Sequence, residues 1–390
     1  MSAVDIPLSA PDITDAEIDA VVSVLRTPRL SLGPKMEEFE AAMAVYSGAP
    51  HAVAVSSGTA GLHLALLAVG IGPGDEVIVP SFTFIAVANA VRYVGAHPVF
   101  ADVDAESLNL SPGSVEAAIT PRTRALIVVH TFGRPGDMDA LLDLGRRHNL
   151  LLIEDACEAI GAEIAGRRVG SFGDAGIFAF YPNKQITTGE GGMVVTPHAQ
   201  IAQRIASLRN HGRYASGRSA AQNPESRDPV VDHGFEHAQL GYNYRLSEMQ
   251  CALGVAQLAR IDAILARREI IARRYCESLR GHPHLLLPAV DIPGQRLSWF
   301  VFVVRLSQSF TRDDRDRIMQ ALAAEGIATG RYFAPIHMQP AYSAWRPSFP
   351  LPITESVAER TLALPFFNRI TEEQIDRVCS VLRAALNDKV

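Results

Sequence analysis

Short apolar runs alternate with helix-like segments along the first two-thirds of the chain. The runs lie at 52–55, 76–79, 98–101, 125–129 and 150–154. Runs that are apolar at every position are typical of parallel strands that helices bury on both faces. Two further candidates, 176–180 and 191–195, lie too close together for a crossover helix, so at least one pairing there is expected to be antiparallel. The pattern predicts an α/β fold with a mixed, mostly parallel sheet flanked by helices.

The two ends of the chain differ from this central pattern. Near the N-terminus, Thr14 and Glu17 form a capping-box pattern that starts a helix. Its predicted apolar face consists of Ile18, Val21, Val22 and Leu25. Later elements are predicted as a long helix at 246–275, a strand at 299–305, and helices at 312–325 and from 371 onward. We therefore expect a large α/β domain at 1–255, including the N-terminal segment, and a smaller α+β domain at 256–390.

Composition narrows the class of function. The 390 residues include 36 Lys and Arg and 42 Asp and Glu, which gives a formal net charge of −6. The sequence has no concentrated basic stripe, which argues against nucleic-acid binding as the main function. The four cysteines are scattered and the first residues do not resemble a signal peptide, which favours the cytoplasm. The sequence contains no uninterrupted apolar stretch of about 20 residues, so it predicts no membrane-spanning helix.

Small residues follow the first predicted strand. Ser56-Ser57-Gly58-Thr59-Ala60-Gly61 leads directly into a predicted helix, whose free amides and dipole suit a phosphate group. Tight packing explains most such turns, so both interpretations stay open at this point.

Residues that could take part in binding or catalysis lie at the ends of three other predicted strands. Phe82 and Phe84 follow the second strand and are either core residues or a stacking surface for a flat ring. Glu154 and Asp155 end a buried strand. An acid there is either a helix cap or a charged group that needs a cation or hydrogen-bond donors beside it. Lys184 stands in a turn before a glycine-rich segment, where a solvated surface lysine is the alternative.

The carboxyl ends of parallel strands meet at one edge of a sheet, which is where ligands bind in open α/β folds. An anion site, an aromatic ring, a carboxylate and an amine at that edge are the four groups that pyridoxal phosphate needs. This combination makes pyridoxal phosphate the predicted cofactor.

At this point the chain resembles a known family, the DegT-type sugar aminotransferases, whose members have the fold of type I pyridoxal-phosphate transferases. The resemblance runs nearly end to end and is nearest to the C4 aminotransferases of nucleotide sugars, the group that includes perosamine synthases. It is carried by SSGTAGLHLAL, GDEVIVPSFTF, IEDACEAIGA, FAFYPNKQITTGEGG, NHGR, LGYNYRLSEMQ and YFAPIHMQP.

The resemblance implies roles for individual residues around the cofactor. Lys184 would form a Schiff base with pyridoxal phosphate and move protons, Asp155 would pair with the pyridine nitrogen, and Phe84 would stack on the ring. Gly58 and Thr59 would bind the phosphate.

Further residues are implied at the edges of this site. Glu158 would lie near the phenolic oxygen of the cofactor, and Ala179 stands where many relatives carry a phosphate-binding Ser. Members are homodimers with shared sites, so Asn243 and Arg245 would reach the phosphate of the partner subunit. Arg29, Leu30 and His337 match segments near the sugar and could equally be structural.

The activity implied is transfer of an amino group from L-glutamate to a nucleotide-linked 4-keto-6-deoxy sugar, in polysaccharide, glycan or antibiotic-sugar biosynthesis. Two alternatives stay open: the same chemistry on a 3-keto sugar or a keto-cyclitol, and a non-catalytic regulator that binds pyridoxal phosphate.

One motif matches a zinc-binding pattern. His233-Gly234-Phe235-Glu236-His237 fits the H-x-x-E-H zinc pattern, which requires a helix to bring both histidines onto one face. Pro229 and Gly234 disfavour a long helix there, so we expect no metal site.

Overall fold

The computed structural model describes residues 5–213, 237–347 and 349–387. Its α-helices are α1 Asp15–Leu25, α2 Pro34–Ser47, α3 Gly58–Ala68, α4 Ala86–Tyr93, α5 Pro112–Ala118, α6 Met138–His148, α7 Ala199–Leu208, α8 Glu248–Ala259, α9 Ile261–Leu279, α10 Arg312–Ala324, α11 Pro352–Arg360 and α12 Glu372–Asn387. Its strands are β1 His51–Val55, β2 Glu76–Pro80, β3 His97–Ala101, β4 Thr123–Val129, β5 Leu151–Asp155, β6 Glu163–Ile164, β7 Arg167–Arg168, β8 Ala175–Ala179, β9 Gly192–Thr196, β10 Leu285–Leu286, β11 Gln295–Arg296, β12 Phe302–Leu306 and β13 Thr361–Leu364.

A seven-stranded sheet organises the first half of the chain, in the order β1-β9-β8-β5-β4-β2-β3. The pairs from β8 to β3 are parallel, whereas β9 runs antiparallel to both β8 and β1. The prediction of a mixed, mostly parallel sheet with an antiparallel pair after 176–180 is confirmed.

Both faces of this sheet are covered, which explains why its strands are continuously apolar. Val77 and Val79 of β2 pack with α3, α4 and α7 on one face. Ile78, between them in sequence, packs with α5 and α6 on the other face. Side chains alternate between the faces of a strand, so a strand with helices on both sides has no solvent-facing position.

A second sheet, β10-β12-β13, packs against α9, α10 and α12 in the C-terminal part of the chain. Ile6, from the N-terminal segment, is buried in this same cluster. Residue 255 lies inside α8. The division at 255 stays a prediction.

The predicted long helix at 246–275 is instead two helices, α8 and α9, bent by 63°. At the bend, the Arg260 guanidinium donates to Glu17 Oε1 over 2.8 Å and to the Asp12 carbonyl oxygen over 3.0 Å. No single helix in the described ranges is both long and apolar enough to cross a membrane, and α8 and α9 meet those criteria only as a bent pair.

The same contacts change which face of α1 is buried. The predicted capping box is present, but Ile18 and Leu25 are exposed whereas Glu17 and Val24 are buried. Burial alone would raise the pKa of Glu17; hydrogen bonds from Thr14 and Gln257 and the charge of Arg260 lower it to about 2. A buried carboxylate satisfied in this way takes the place of the predicted apolar contact.

Candidate active site

A cavity of about 480 Å³ opens at the carboxyl ends of β1, β2, β4, β5 and β8. It is lined by Ser57, Gly58, Thr59, Leu62, Thr83, Phe84, Ala86, Val129, Asp155, Cys157, Glu158, Ala179, Tyr181, Asn183, Lys184, Glu190, Gly191, Phe300, Tyr332 and Phe333. Six residues singled out from the sequence therefore lie together: Gly58, Thr59, Phe84, Asp155, Glu158 and Lys184.

Lys184 lies in the turn that follows β8, where its backbone amide donates to the Tyr181 carbonyl oxygen over 2.9 Å. Its ammonium nitrogen lies 3.8 Å from Glu158 Oε1 and 4.0 Å from the centre of the Phe300 ring. The side chain is 14% exposed, so it is not the solvated surface lysine that was the alternative. A confined amine beside an acid is suited to covalent attachment and proton transfer.

The two acids at the end of β5 have different surroundings. Glu154 is fully buried and accepts hydrogen bonds from the backbone amides of Gly170, Phe172 and Gly173 and from His130 Nε2. This ring of donors satisfies its charge, so Glu154 has a structural role.

Asp155 points to the opposite face of the strand and lines the cavity. One of its oxygens accepts from the Cys157 amide over 3.1 Å. A carboxylate that is 7% exposed on this wall is available to a protonated ring nitrogen.

The N-terminus of α3 forms a third part of the cavity. Ser57 caps the helix by accepting from the Ala60 amide over 3.1 Å, and Gly58 is its first residue. A Cβ atom at Gly58 would lie 2.8 Å from both Ala179 Cβ and Cys157 Sγ, so any side chain there would force its neighbours to move. The helix terminus lines the cavity, where its free amides suit an anion such as the phosphate of pyridoxal phosphate.

Hydrogen bonds to its side chain and to its backbone hold Glu158 in place. Its Oε2 accepts from the Phe132 amide over 2.9 Å, and its backbone carbonyl oxygen accepts from the Gln185 side chain, at Nε2, over 2.7 Å. Burial raises the pKa of Glu158 despite the opposing charge of Lys184.

No role was predicted for the wall contributed by the C-terminal half, although Tyr332 and Phe333 begin the YFAPIHMQP segment. Phe300, Tyr332 and Phe333 enter the cavity from that half, and Asn183 contacts the Tyr332 hydroxyl. Burial and the Glu158 charge raise the pKa of Tyr332, while a hydrogen bond from Asn183 lowers it in part. The signals available were the position of Asn183 next to Lys184 and the place of Tyr332 and Phe333 in YFAPIHMQP.

Five other predicted residues lie outside the lining of this cavity, and His337 is the buried one among them. Asn243 is exposed, and its backbone is bridged to Asn210. Arg245 donates to Asn210 Oδ1 over 2.9 Å. Arg29 and Leu30 are exposed on the segment that precedes α2.

His337 is buried and is not part of the lining. Its Nδ1 lies 2.6 Å from Ser81 Oγ, and its Nε2 lies 3.5 Å from Glu355 Oε1. His337 thereby fixes the loop after β2 that carries Phe84. Burial lowers the pKa of His337, which favours the neutral ring.

Most of the H-x-x-E-H motif at 233–237 lies outside the described residues; only His237 is described. Within the described ranges, no group of three or more His, Cys, Asp or Glu side chains is placed to hold a metal ion.

Comparison with known proteins agrees with this geometry. Residues 11–383 match the DegT/DnrJ/EryC1/StrS aminotransferase family. The chain belongs to this family. It is 42% identical to the GDP-perosamine synthase of Caulobacter vibrioides over 98% of both chains.

Two solved structures are similar to this aminotransferase over nearly its full length. S. venezuelae DesV, in complex with a ketimine intermediate, has a TM-score of 0.85 and 39% identity, covering 97% of this chain and 98% of DesV. The PMP-form of the putative sugar aminotransferase Spr1654 from Streptococcus pneumoniae has a TM-score of 0.90 and 27% identity. The match covers 99% of this chain and 100% of Spr1654. The predicted fold class and enzyme class are confirmed.

Proposed function

We propose that this chain is a pyridoxal-phosphate-dependent aminotransferase that moves an amino group from L-glutamate to a nucleotide-linked 4-keto-6-deoxy sugar. The observation that carries the proposal is the confined Lys184 amine, which shares one cavity with Asp155, Phe84 and the open terminus of α3. The predicted cofactor is confirmed by the family and by the PLP- and PMP-forms of Spr1654.

Each group of this chain has a separate task. Lys184 anchors the cofactor and then removes and returns protons at the substrate carbons. Asp155 holds the proton on the ring nitrogen, and the amides at Gly58 and Thr59 bind the phosphate. When bound, pyridoxal phosphate supplies a ring that delocalises the negative charge left after proton removal.

The acceptor is proposed from the cavity wall and from one relative. Aromatic rings at Phe300 and Phe333 offer apolar contact to the C–H bonds of a sugar. The relative that is 42% identical is a GDP-perosamine synthase, and its name indicates an amino sugar linked to a nucleotide.

A homodimer with shared sites is part of the proposal. Asn243 is exposed in the single chain, as a residue that serves a partner subunit would be. Ile18, Leu25, Leu30 and Leu32 are also exposed, and such large apolar side chains favour coverage by a second copy. The cytoplasmic location stays a prediction.

The test is an amination assay of purified enzyme, supplied with pyridoxal phosphate and L-glutamate, against nucleotide-linked 4-keto- and 3-keto-6-deoxyhexoses. We expect an amine at C4, located by NMR spectroscopy of the product, and no amine with the Lys184→Ala variant. Amination at C3, or of neither sugar, would contradict the proposed acceptor.

A further inference from the structure

Tyr332 is held rigidly on the side of the cavity that the C-terminal half supplies. Its ring packs against Phe300 and Phe333, with ring centres 6.2 Å and 5.1 Å away, both in edge-to-face geometry. Phe300 is the ring that Lys184 approaches to 4.0 Å. The Tyr332 side chain is therefore positioned on the wall next to the reactive amine.

The hydrogen bond between Asn183 and Tyr332 has a definite direction. Asn183 Oδ1 is buried and has no hydrogen-bond partner in the described part of the chain, so the amide nitrogen is the Asn183 atom placed to donate to the phenol oxygen. The Asn183 side chain lowers the pKa of Tyr332, which is the effect of a donor beside that oxygen. A phenol oxygen that accepts one bond still has its proton to donate. We see no side chain within residues 5–213, 237–347 and 349–387 that accepts this proton.

The chemistry of the two substrates distinguishes which of them this proton serves. A ketone oxygen accepts hydrogen bonds and carries no charge, so a neutral phenol between aromatic rings suits it. The carboxylates of L-glutamate are recognised most strongly by cationic partners, and Tyr332 offers none. Burial and the Glu158 charge raise the pKa of Tyr332, which keeps the phenol protonated at neutral pH.

We propose that the Tyr332 hydroxyl donates a hydrogen bond to the carbonyl oxygen of the keto-sugar acceptor, and that Asn183 orients it. This inference rests on the proposed function. It makes Tyr332 a residue for acceptor recognition that is used in only one of the two half-reactions.

The experiment separates the half-reactions in Tyr332→Phe, which keeps the ring and removes the hydroxyl. Loss of the visible absorbance of the loaded enzyme with L-glutamate reports the first half-reaction, and its return with a nucleotide-linked 4-keto-6-deoxyhexose reports the second. We expect the first rate to stay within about twofold and the second to fall roughly 10- to 100-fold.

Two further variants separate recognition from folding. Tyr342→Phe removes another buried hydroxyl, which bonds Asn89 Oδ1 over 2.6 Å outside the cavity, and should leave both rates unchanged. In Asn183→Asp, a carboxylate replaces the amide and accepts the hydrogen bond of the Tyr332 hydroxyl, which is then no longer available to the ketone, so the ratio of the second rate to the first should fall at least tenfold.

Three results would overturn the assignment of Tyr332: an unchanged second half-reaction in Tyr332→Phe, an equal slowing of both half-reactions, or the same loss in Tyr342→Phe. A wild-type enzyme that bleaches with L-glutamate but reacts with no keto sugar would overturn the proposed acceptor itself, and this assignment with it.

Discussion

The Lys184 ammonium nitrogen lies 3.8 Å from Glu158 Oε1, and the two side chains are 14% and 9% exposed. The carboxylate cannot turn away, because Phe132 donates its amide to the other oxygen. Phe132 adopts a left-handed backbone conformation, with φ of 57°, in order to present that amide. An acid is thus fixed beside the reactive amine.

Glu158 is expected to make stability depend on pH. Burial raises its pKa above the ordinary 4.5, so the folded apoprotein binds the proton more readily than the unfolded chain does. The free energy of unfolding should therefore fall as pH rises from 4.5 through the folded pKa. Glu158→Gln should flatten this slope, as measured by urea unfolding of the apoprotein at a series of pH values.

The control for this measurement is Glu277→Gln on the exposed side of α9, which should keep the wild-type slope. If Glu158→Gln and wild type have the same slope, burial of the carboxylate does not control its ionisation.

Gly58→Ala tests the close approach at the terminus of α3. The added Cβ would lie 2.8 Å from Ala179 Cβ and Cys157 Sγ, so the helix terminus must move. We expect a loss of roughly 1–3 kcal/mol in stability, typical of an overpacked site. Binding of pyridoxal phosphate, measured by fluorescence titration, should weaken at least tenfold.

Gly72→Ala is the matched control, because a Cβ atom at Gly72 meets nothing within 4 Å. If Gly58→Ala and wild type bind pyridoxal phosphate with equal affinity, the phosphate does not bind at this helix terminus.

The shared site can be tested by mixing two inactive variants. Lys184→Ala lacks the amine, and Asn243→Ala lacks the side chain proposed to reach the partner subunit. Hybrid dimers contain one intact site, so reassociation of an equal mixture should restore about a quarter of wild-type activity. The opposite arrangement places both changes on one subunit: the double variant Lys184→Ala/Asn243→Ala is mixed with wild type. An inactive mixture of the single variants that nevertheless forms hybrids would contradict the shared site.

Much of the fold could be predicted, because local patterns determine it. Strands buried on both faces are apolar at every position, so β2, β4 and β5 were located to within a few residues. The bend at Arg260 could not be predicted, since it depends on Glu17, which is far away in the sequence. That one buried carboxylate also explains the error in the face of α1.

The candidate site was predictable where a motif carried it. Lys184, Asp155 and Gly58 follow strands whose carboxyl ends meet at one edge, and the cavity brings them together. The strand pattern alone could not divide the roles of Glu154 and Asp155, because that depends on which face each side chain takes; the family resemblance singled out Asp155. Tyr332 stands in the YFAPIHMQP motif but no role was predicted for it, because its place in the cavity depends on packing between distant parts of the chain.

The most direct test of the central claim is the visible absorbance spectrum of the protein loaded with pyridoxal phosphate, before and after excess L-glutamate, for wild type and Lys184→Ala. The account predicts a band that depends on Lys184 and that L-glutamate bleaches in the wild type. A wild-type band that L-glutamate leaves unchanged, or the same bleachable band in Lys184→Ala, would contradict it.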